Sequence, residues 1–223
     1  ASAYQDQLTK PSGSLGMLED LAVFLAGWQN SERPVIETAQ AIIFAGNHGI
    51  CEQGVNPYPQ EVTQLMVSNF ENGGAAMNQL CILSGAELTV KPLSLDSPTQ
   101  DFTQTKAMSM TELLDAMSAG IKSVNRSANI VLLGEMGIGN STVSSALAAS
   151  VFGGRVADWV GAGTGSDEKG IAHKIDIIEE GIAKHGLRPD LTAILAFGGR
   201  EQAAICGACL LYTSDAADDS GCV

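Results

Sequence analysis

The stretch NIVLLGEMGIGNSTVSSALAAS, Asn129 to Ser150, holds the residues best suited to chemistry. An apolar run enters a loop containing Gly134, Gly137 and Gly139, and a helix of small residues leaves it. Such a loop aims backbone N–H groups at an anion, and the macrodipole of the following helix favours negative charge at the same place. Counted from Gly134, the pattern is Gly-x4-Gly-Asn-Ser, a triphosphate-binding loop with Asn140 where the lysine belongs. Asn140 cannot supply that charge, which argues against a nucleoside triphosphatase. One phosphomonoester needs less. The alternative is a plain strand-to-helix turn. Glu135 sits inside the loop, where a carboxylate is unfavourable unless it accepts a hydrogen bond from a ribose hydroxyl or a base.

Val160 to Gly165, VGAGTG, is a second glycine turn. A dinucleotide fold asks for Gly-x-Gly-x-x-Gly after the first strand and an acid about 20 residues on, and this turn meets neither condition. Lys174 lies in the helix that follows, beside His173. On spacing alone it is either a solvated surface charge or the cation missing from the loop. His48, in FAGNHGI, falls just past a strand end. It is either a general base or a turn residue held by backbone hydrogen bonds. No Gly-x-Ser-x-Gly elbow accompanies it. His48, His173 and His185 form no ligand cluster with the cysteines, so no metal is expected.

The elements around these residues follow from pattern and bulk properties. The chain has 223 residues, 45% hydrophobic and 17% charged, enough to bury a sizeable core. A net charge of −13 repels nucleic acid and anionic membranes. It would also repel a phosphorylated ligand, so any phosphate site must be locally positive. No apolar run reaches the roughly 18 residues that span a bilayer. The five cysteines, Cys51, Cys81, Cys206, Cys209 and Cys222, are odd in number and irregular in spacing. They read as buried thiols in a reducing cytoplasm, with Cys206-x2-Cys209 as the one pair that could bind metal or cycle redox state.

Helical spacing predicts helices over 14–28, through Val62, Leu65, Met66 and Phe70, and over 75–83, 110–125, 141–150 and 167–185, with a last one after the Gly198-Gly199 turn. Asn140 or Ser141 is the expected N-cap of the fifth. Five apolar runs read as strands: AQAIIFAG, AELTVKPL, NIVLLGEMG, VADWVGAGTGS and LTAILAF. Strands alternating with helices predict an α/β fold, a parallel sheet covered by helices on both faces. Ligands of such sheets sit beyond the carboxyl ends of the strands. Gly46, Gly134, Gly161 and Gly198 are expected at those ends as a binding rim. The residues alone therefore lead to a domain that binds a small phosphorylated ligand.

Taken in series, five segments resemble one family, the nicotinate-nucleotide–dimethylbenzimidazole phosphoribosyltransferases of cobalamin biosynthesis. They are KPSGSLGMLEDLA (10–22), FAGNHGICEQGVNPYPQEVTQLMVSNFENGGAAMNQL (44–80), LLGEMGIGNST (132–142), WVGAGTG (159–165) and LAFGGREQAAICGA (195–208). The resemblance implies a Rossmann-like parallel sheet flanked by helices, with part of a small helical domain. It implies residues 1–34 as the helical segment and 35–208 as the phosphoribosyl-binding domain. The implied reaction moves the phosphoribosyl group from nicotinate mononucleotide to dimethylbenzimidazole, giving α-ribazole 5'-phosphate and nicotinate, with no metal or redox cofactor.

Carried over onto this chain, Glu135, Gly137, Ile138 and Gly139 would hold the ribose phosphate, with Gly161 and Gly163 lining the same cleft and Lys174 as the cation. Tyr58 and Met66 would form the benzimidazole pocket, and neither is the most polar type the family uses there. Asn47 departs from the family's Asp-His-Gly triplet and loses that charge. The family's base is a glutamate in a C-terminal region that this sequence does not contain. No catalytic residue is therefore assigned within the chain, and the chain by itself is expected to be inactive. The end of the sequence, CLLYTSDAADDSGCV, resembles translated sequencing adapter, so residues 209–223 are expected to be non-native. The resemblance further implies a cytoplasmic homodimer for the full-length enzyme. The residues themselves leave open a non-catalytic mononucleotide- or azole-binding module.

Overall fold

AQAIIFA, apolar but for Gln40, forms the central strand β1 (Ala39–Ala45), in which Ala41, Ile42, Phe44 and Ala45 are fully buried. Strands β2 (Glu87–Pro92) and β3 (Ile130–Met136) pair with it on either side, both parallel, in the order β2-β1-β3. The computed structural model describes residues 1–219. Residues 220–223, including Cys222 and the end of the suspected adapter sequence, lie outside the described residues.

The chain divides into two compact units, Ala1–Thr38 and a second beginning at Ala39. The first carries α1 (Ser2–Gln5) and α2 (Met17–Trp28). Lys10 pairs with Glu19 at 2.7 Å within it.

In the second unit, β1 leads through a 3-10 turn (Gly49–Gln53) to α3 (Glu61–Glu71) and α4 (Ala76–Ser84), then to β2. The next crossover, α5 (Met110–Ser123), returns the chain to β3 on the far side of β1. A capping box starts α5: the Ser109 hydroxyl accepts from Glu112 N–H, and the Glu112 carboxylate accepts from Ser109 N–H. After β3 come α6 (Asn140–Phe152), a 3-10 turn (Val156–Asp158), α7 (Glu168–His185), α8 (Thr192–Phe197) and α9 (Arg200–Asp219). Asp167 caps α7 by accepting from Gly170 N–H at 2.8 Å. Ile42 and Phe44 of β1 pack with Ala204 and Ile205 of α9, Val131 and Leu133 of β3, and Leu93. A second cluster joins Val143, Ala146 and Ala149 of α6 to Ile177 and Ile178 of α7 and Phe197 of α8.

The α/β fold with a parallel sheet is as expected, but two of the five expected strands are not strands. LTAILAF is α8, a helix whose start is marked by Asp190, the acceptor of the Thr192 N–H at 2.8 Å. VADWV is a 3-10 turn followed by the glycine turn. The glycine rim shrinks accordingly. Gly46 follows β1, but Gly134 lies inside β3, Gly161 lies in an irregular segment before the turn at 163–165 and Gly198 is the C-cap of α8. Neither Asn140 nor Ser141 caps α6; Gly139 holds that position, with φ +91° and no side-chain cap. Of the thiols, Cys81 is buried as expected, Cys51 and Cys206 are half-buried, and Cys209 is exposed. Among the described residues, no helix is long and apolar enough to cross a membrane. No group of three or more His, Cys, Asp and Glu side chains among them could hold a metal.

Candidate functional site

The strand order changes direction at β1, and in parallel sheets that point opens a crevice at the carboxyl edge. A cleft of about 310 Å³ lies there. Tyr58, Met66, Glu135, Gly137 and Ile138, all singled out from the sequence, line it. Thr63, Met136, Asn140 and Thr164 also line it and were not assigned to it from the sequence. Tyr58 and Met66 form an accessible wall, at 50% and 41% exposure.

The loop after β3 is fixed by hydrogen bonds that spacing does not reveal. Ile138 N–H donates to the Thr63 hydroxyl at 3.0 Å, and the Ile138 carbonyl accepts from the Cys51 thiol at 3.2 Å. The Ile138 amide is thus committed to α3, and what Ile138 offers the cleft is its side chain. Burial pushes the Cys51 thiol up to about 12, so it stays protonated and donating. Gly46 N–H donates to the Met136 carbonyl at 3.0 Å, extending the β1–β3 ladder to the foot of the loop.

Asn140, in the place of the triphosphate-loop lysine, turns back onto Glu135. Its side-chain N–H donates to both carboxylate oxygens, at 3.0 and 2.8 Å. Burial raises the Glu135 carboxyl above its ordinary range, the Asn140 bond opposes that, the Glu201 charge adds to it, and His48 counters.

Positive charge enters from the opposite side. Lys174 is only 2% exposed, on the inner face of α7, so it is not a solvated surface charge. Gly163, with φ +56°, marks its position: a methyl group there would lie 3.2 Å from Lys174 Nζ and 2.8 Å from Ser141 Oγ. An ammonium group and a hydroxyl therefore flank one point at the N-terminus of α6, a 13-residue helix. Burial lowers the Lys174 pKa, as expected for a cation buried away from water. Gly139 lies at the same helix start, and Gly161 is exposed with open space around it; neither of them, nor Gly163 or Lys174, lines the cleft itself, because the α6 start lies just past the cleft-lining Asn140.

His48 is neither cleft-lining nor held through its ring by the backbone. It is fully buried, with Nε2 3.1 Å from Glu201 Oε1, and Glu201 is also fully buried. Its backbone carbonyl accepts from the Gln60 side chain at 2.8 Å. No spacing rule links positions 48 and 201. The available signal was a charged GREQ segment within an otherwise small and apolar stretch. His173 and His185 make backbone contacts, with Gln53 at 2.6 Å and Phe102 at 2.7 Å.

A phosphoribosyltransferase family model matches residues 1–216. A Rhodobacter capsulatus protein named nicotinate-nucleotide–dimethylbenzimidazole phosphoribosyltransferase is 57% identical over 210 residues, covering 94% of this chain and 63% of that protein. Its namesake from Ruegeria pomeroyi is 52% identical, covering 91% of this chain and 60% of that protein. The chain thus spans less than two thirds of the length of these curated relatives. Among solved structures, CobT from Thermus thermophilus superposes with a TM-score of 0.85 at 32% identity, over 96% of this chain and 70% of that one. With this match running through the glycine loop, the cleft wall and Lys174, the chain belongs to the nicotinate-nucleotide–dimethylbenzimidazole phosphoribosyltransferase family.

Proposed function

We propose that this cleft is the substrate-binding part of a phosphoribosyl-transfer site. The ribose phosphate of nicotinate mononucleotide sits at the start of α6, against Gly139, Ser141 and Lys174. The benzimidazole ring lies along Tyr58 and Met66. Glu135 accepts a hydrogen bond from the ribose or the ring. The observation that carries this is the seating of Lys174 Nζ beside Ser141 Oγ at a helix N-terminus, next to an open wall built from Tyr58 and Met66. A buried cation at a helix start supplies the local positive charge that a chain of net charge −13 lacks.

The chemistry suits a site built mainly for positioning. Nicotinate leaves the anomeric carbon through its ring nitrogen, which takes back the glycosidic electron pair and becomes a neutral pyridine nitrogen. No general acid is needed. The incoming benzimidazole nitrogen forms the new C–N bond, and the ring loses its N–H proton, so one base is needed. The remaining requirement is orientation and charge stabilisation, with no metal in any step. In this reading the base lies outside the chain, the working enzyme is a cytoplasmic homodimer, and both substrates are small molecules.

The test has two arms. Calorimetry on the chain should show binding of nicotinate mononucleotide competed by inorganic phosphate. A chimera carrying the C-terminal third of the R. capsulatus relative should release nicotinate only when a benzimidazole is supplied. Release without the azole, or no release with it, overturns the assignment.

A further inference from the structure

Behind the cleft loop lies a buried pair of ionisable side chains to which the reaction chemistry assigns no role. His48 and Glu201 are each fully buried, with Nε2 and Oε1 3.1 Å apart. Burying two ionisable groups is costly, and apolar replacements of similar volume are often as stable or more so. A pair of this kind is weak as a stabilising device, so what it touches matters more than its own energy.

It touches backbone from three chain segments, each at a position with no side chain. A methyl group at Gly46, just after β1, would overlap the Glu201 carboxylate. One at Gly199, in the turn before α9, would overlap the same carboxylate and lie 2.5 Å from His48 Cε1. One at Gly137, in the cleft loop, would overlap the Gly46 carbonyl and lie 3.2 Å from His48 Nε2. The imidazole therefore fills the space directly behind Gly137, and the Glu201 carboxylate at the start of α9 packs against it. None of the ring nitrogens or carboxylate oxygens has a hydrogen-bond partner among the described residues, so the contact braces by packing and proximity. On the other side, α3 holds the same parts: Gln60 donates to the His48 carbonyl and Thr63 accepts from Ile138 N–H.

We infer that His48 and Glu201 are positioning residues: the pair is a strut that sets the depth and backbone orientation of the Gly137–Gly139 loop by bracing it against the turn before α9. The inference deepens the proposed function, because that loop is one wall of the proposed substrate site. The strut itself can be tested without substrate.

The experiment is residue-resolved amide hydrogen exchange on the full chain and on Glu201→Gln, which keeps volume and removes the charge, and Glu201→Asp, which keeps the charge and shortens the reach. The expected result is exchange about tenfold faster at Gly137, Ile138 and Gly139 in both variants, with α7 unchanged. Unchanged loop exchange overturns the inference. So does a uniform increase across the sheet and helices, which would make the pair an ordinary stability element. Should one variant fail to fold, the other carries the same readout. Should both fail, His48→Gln/Glu201→Gln, which leaves no unpaired charge, replaces them, and its failure to fold also overturns the inference. Nicotinate mononucleotide binding by the unaltered chain is measured alongside. No binding with selectively loosened loop amides sinks the proposed function and leaves the strut standing; binding with unaltered loop amides does the reverse.

Discussion

Asn140 donates its side-chain amide to both carboxylate oxygens of Glu135, at 3.0 and 2.8 Å. The residue that looked like a defect in a triphosphate loop is the partner that holds a carboxylate in place at the cleft.

Asn140→Ala removes a hydrogen bond to a charged group, at a cost of about 2 kcal/mol at pH 7. Glu135 has a raised carboxyl pKa in the fold, and the Asn140 bond opposes that rise. A raised group contributes stability below its ordinary range near 4.5 and loses it as pH rises through the folded value. Removing Asn140 raises the folded value further, so the variant should lose less stability at pH 4 than at pH 7. Urea unfolding at the two pH values checks this, and equal losses would contradict it.

Lys174→Met keeps most of the buried stem and removes the ammonium group. Loss of a charge-assisted bond predicts about ten- to hundredfold weaker nicotinate mononucleotide binding. The ligand-free protein should respond in the opposite direction. Burial lowers the Lys174 pKa, so the charged form is disfavoured in the fold, and stability rises as pH climbs through the folded value towards 10.5. At neutral pH the variant should therefore melt at a higher temperature than the parent while binding worse. A lower melting temperature with unchanged affinity would show that Lys174 serves packing alone.

Thr63→Val is close to isosteric and leaves Ile138 N–H without its acceptor. The bond is half-buried, so losing its acceptor costs about 1 kcal/mol, the lower end of the penalty for an unsatisfied donor. The expected outcome is a loss of that size in chemical denaturation, with faster exchange at the Ile138 amide. Retained protection of that amide would show that the bond contributes nothing.

Met66→Ala and Tyr58→Ala trim the exposed wall of the cleft without touching Ser141 at the start of α6 or Lys174 on α7. Each should weaken benzimidazole binding by about tenfold, the scale of losing one apolar contact surface of that size. Inorganic phosphate affinity should not change. Calorimetry with each ligand separately decides it, and a parallel loss of both affinities would contradict two separate seats.

Helices longer than two turns were legible from the sequence because apolar spacing repeats several times within each. Spacing predicts α7 over 167–185, and it is Glu168–His185. LTAILAF departs from the expected strand because a short apolar run fits a buried strand and a buried helix equally well. Asp190, which starts α8, was the signal that could have separated them. Within the site, the residues grouped by local motif, such as Glu135, Gly137 and Ile138, do meet in the cleft. The contacts that fix them come from positions far away in sequence, the hydrogen bond of Thr63 with Ile138 and the packing of Glu201 against His48. No local pattern contains that information, because it arises only when β1, β3, α3 and the turn before α9 converge on one edge.

Thr63 and Met66 lie one turn apart on α3, and the helix carries both the acceptor of the Ile138 amide and part of the ring-facing wall. Any drift that tilts or shifts this helix moves both at once. A redesign of the Met66 wall through α3 therefore also shifts the support of the Ile138 amide, and one must be corrected for the other.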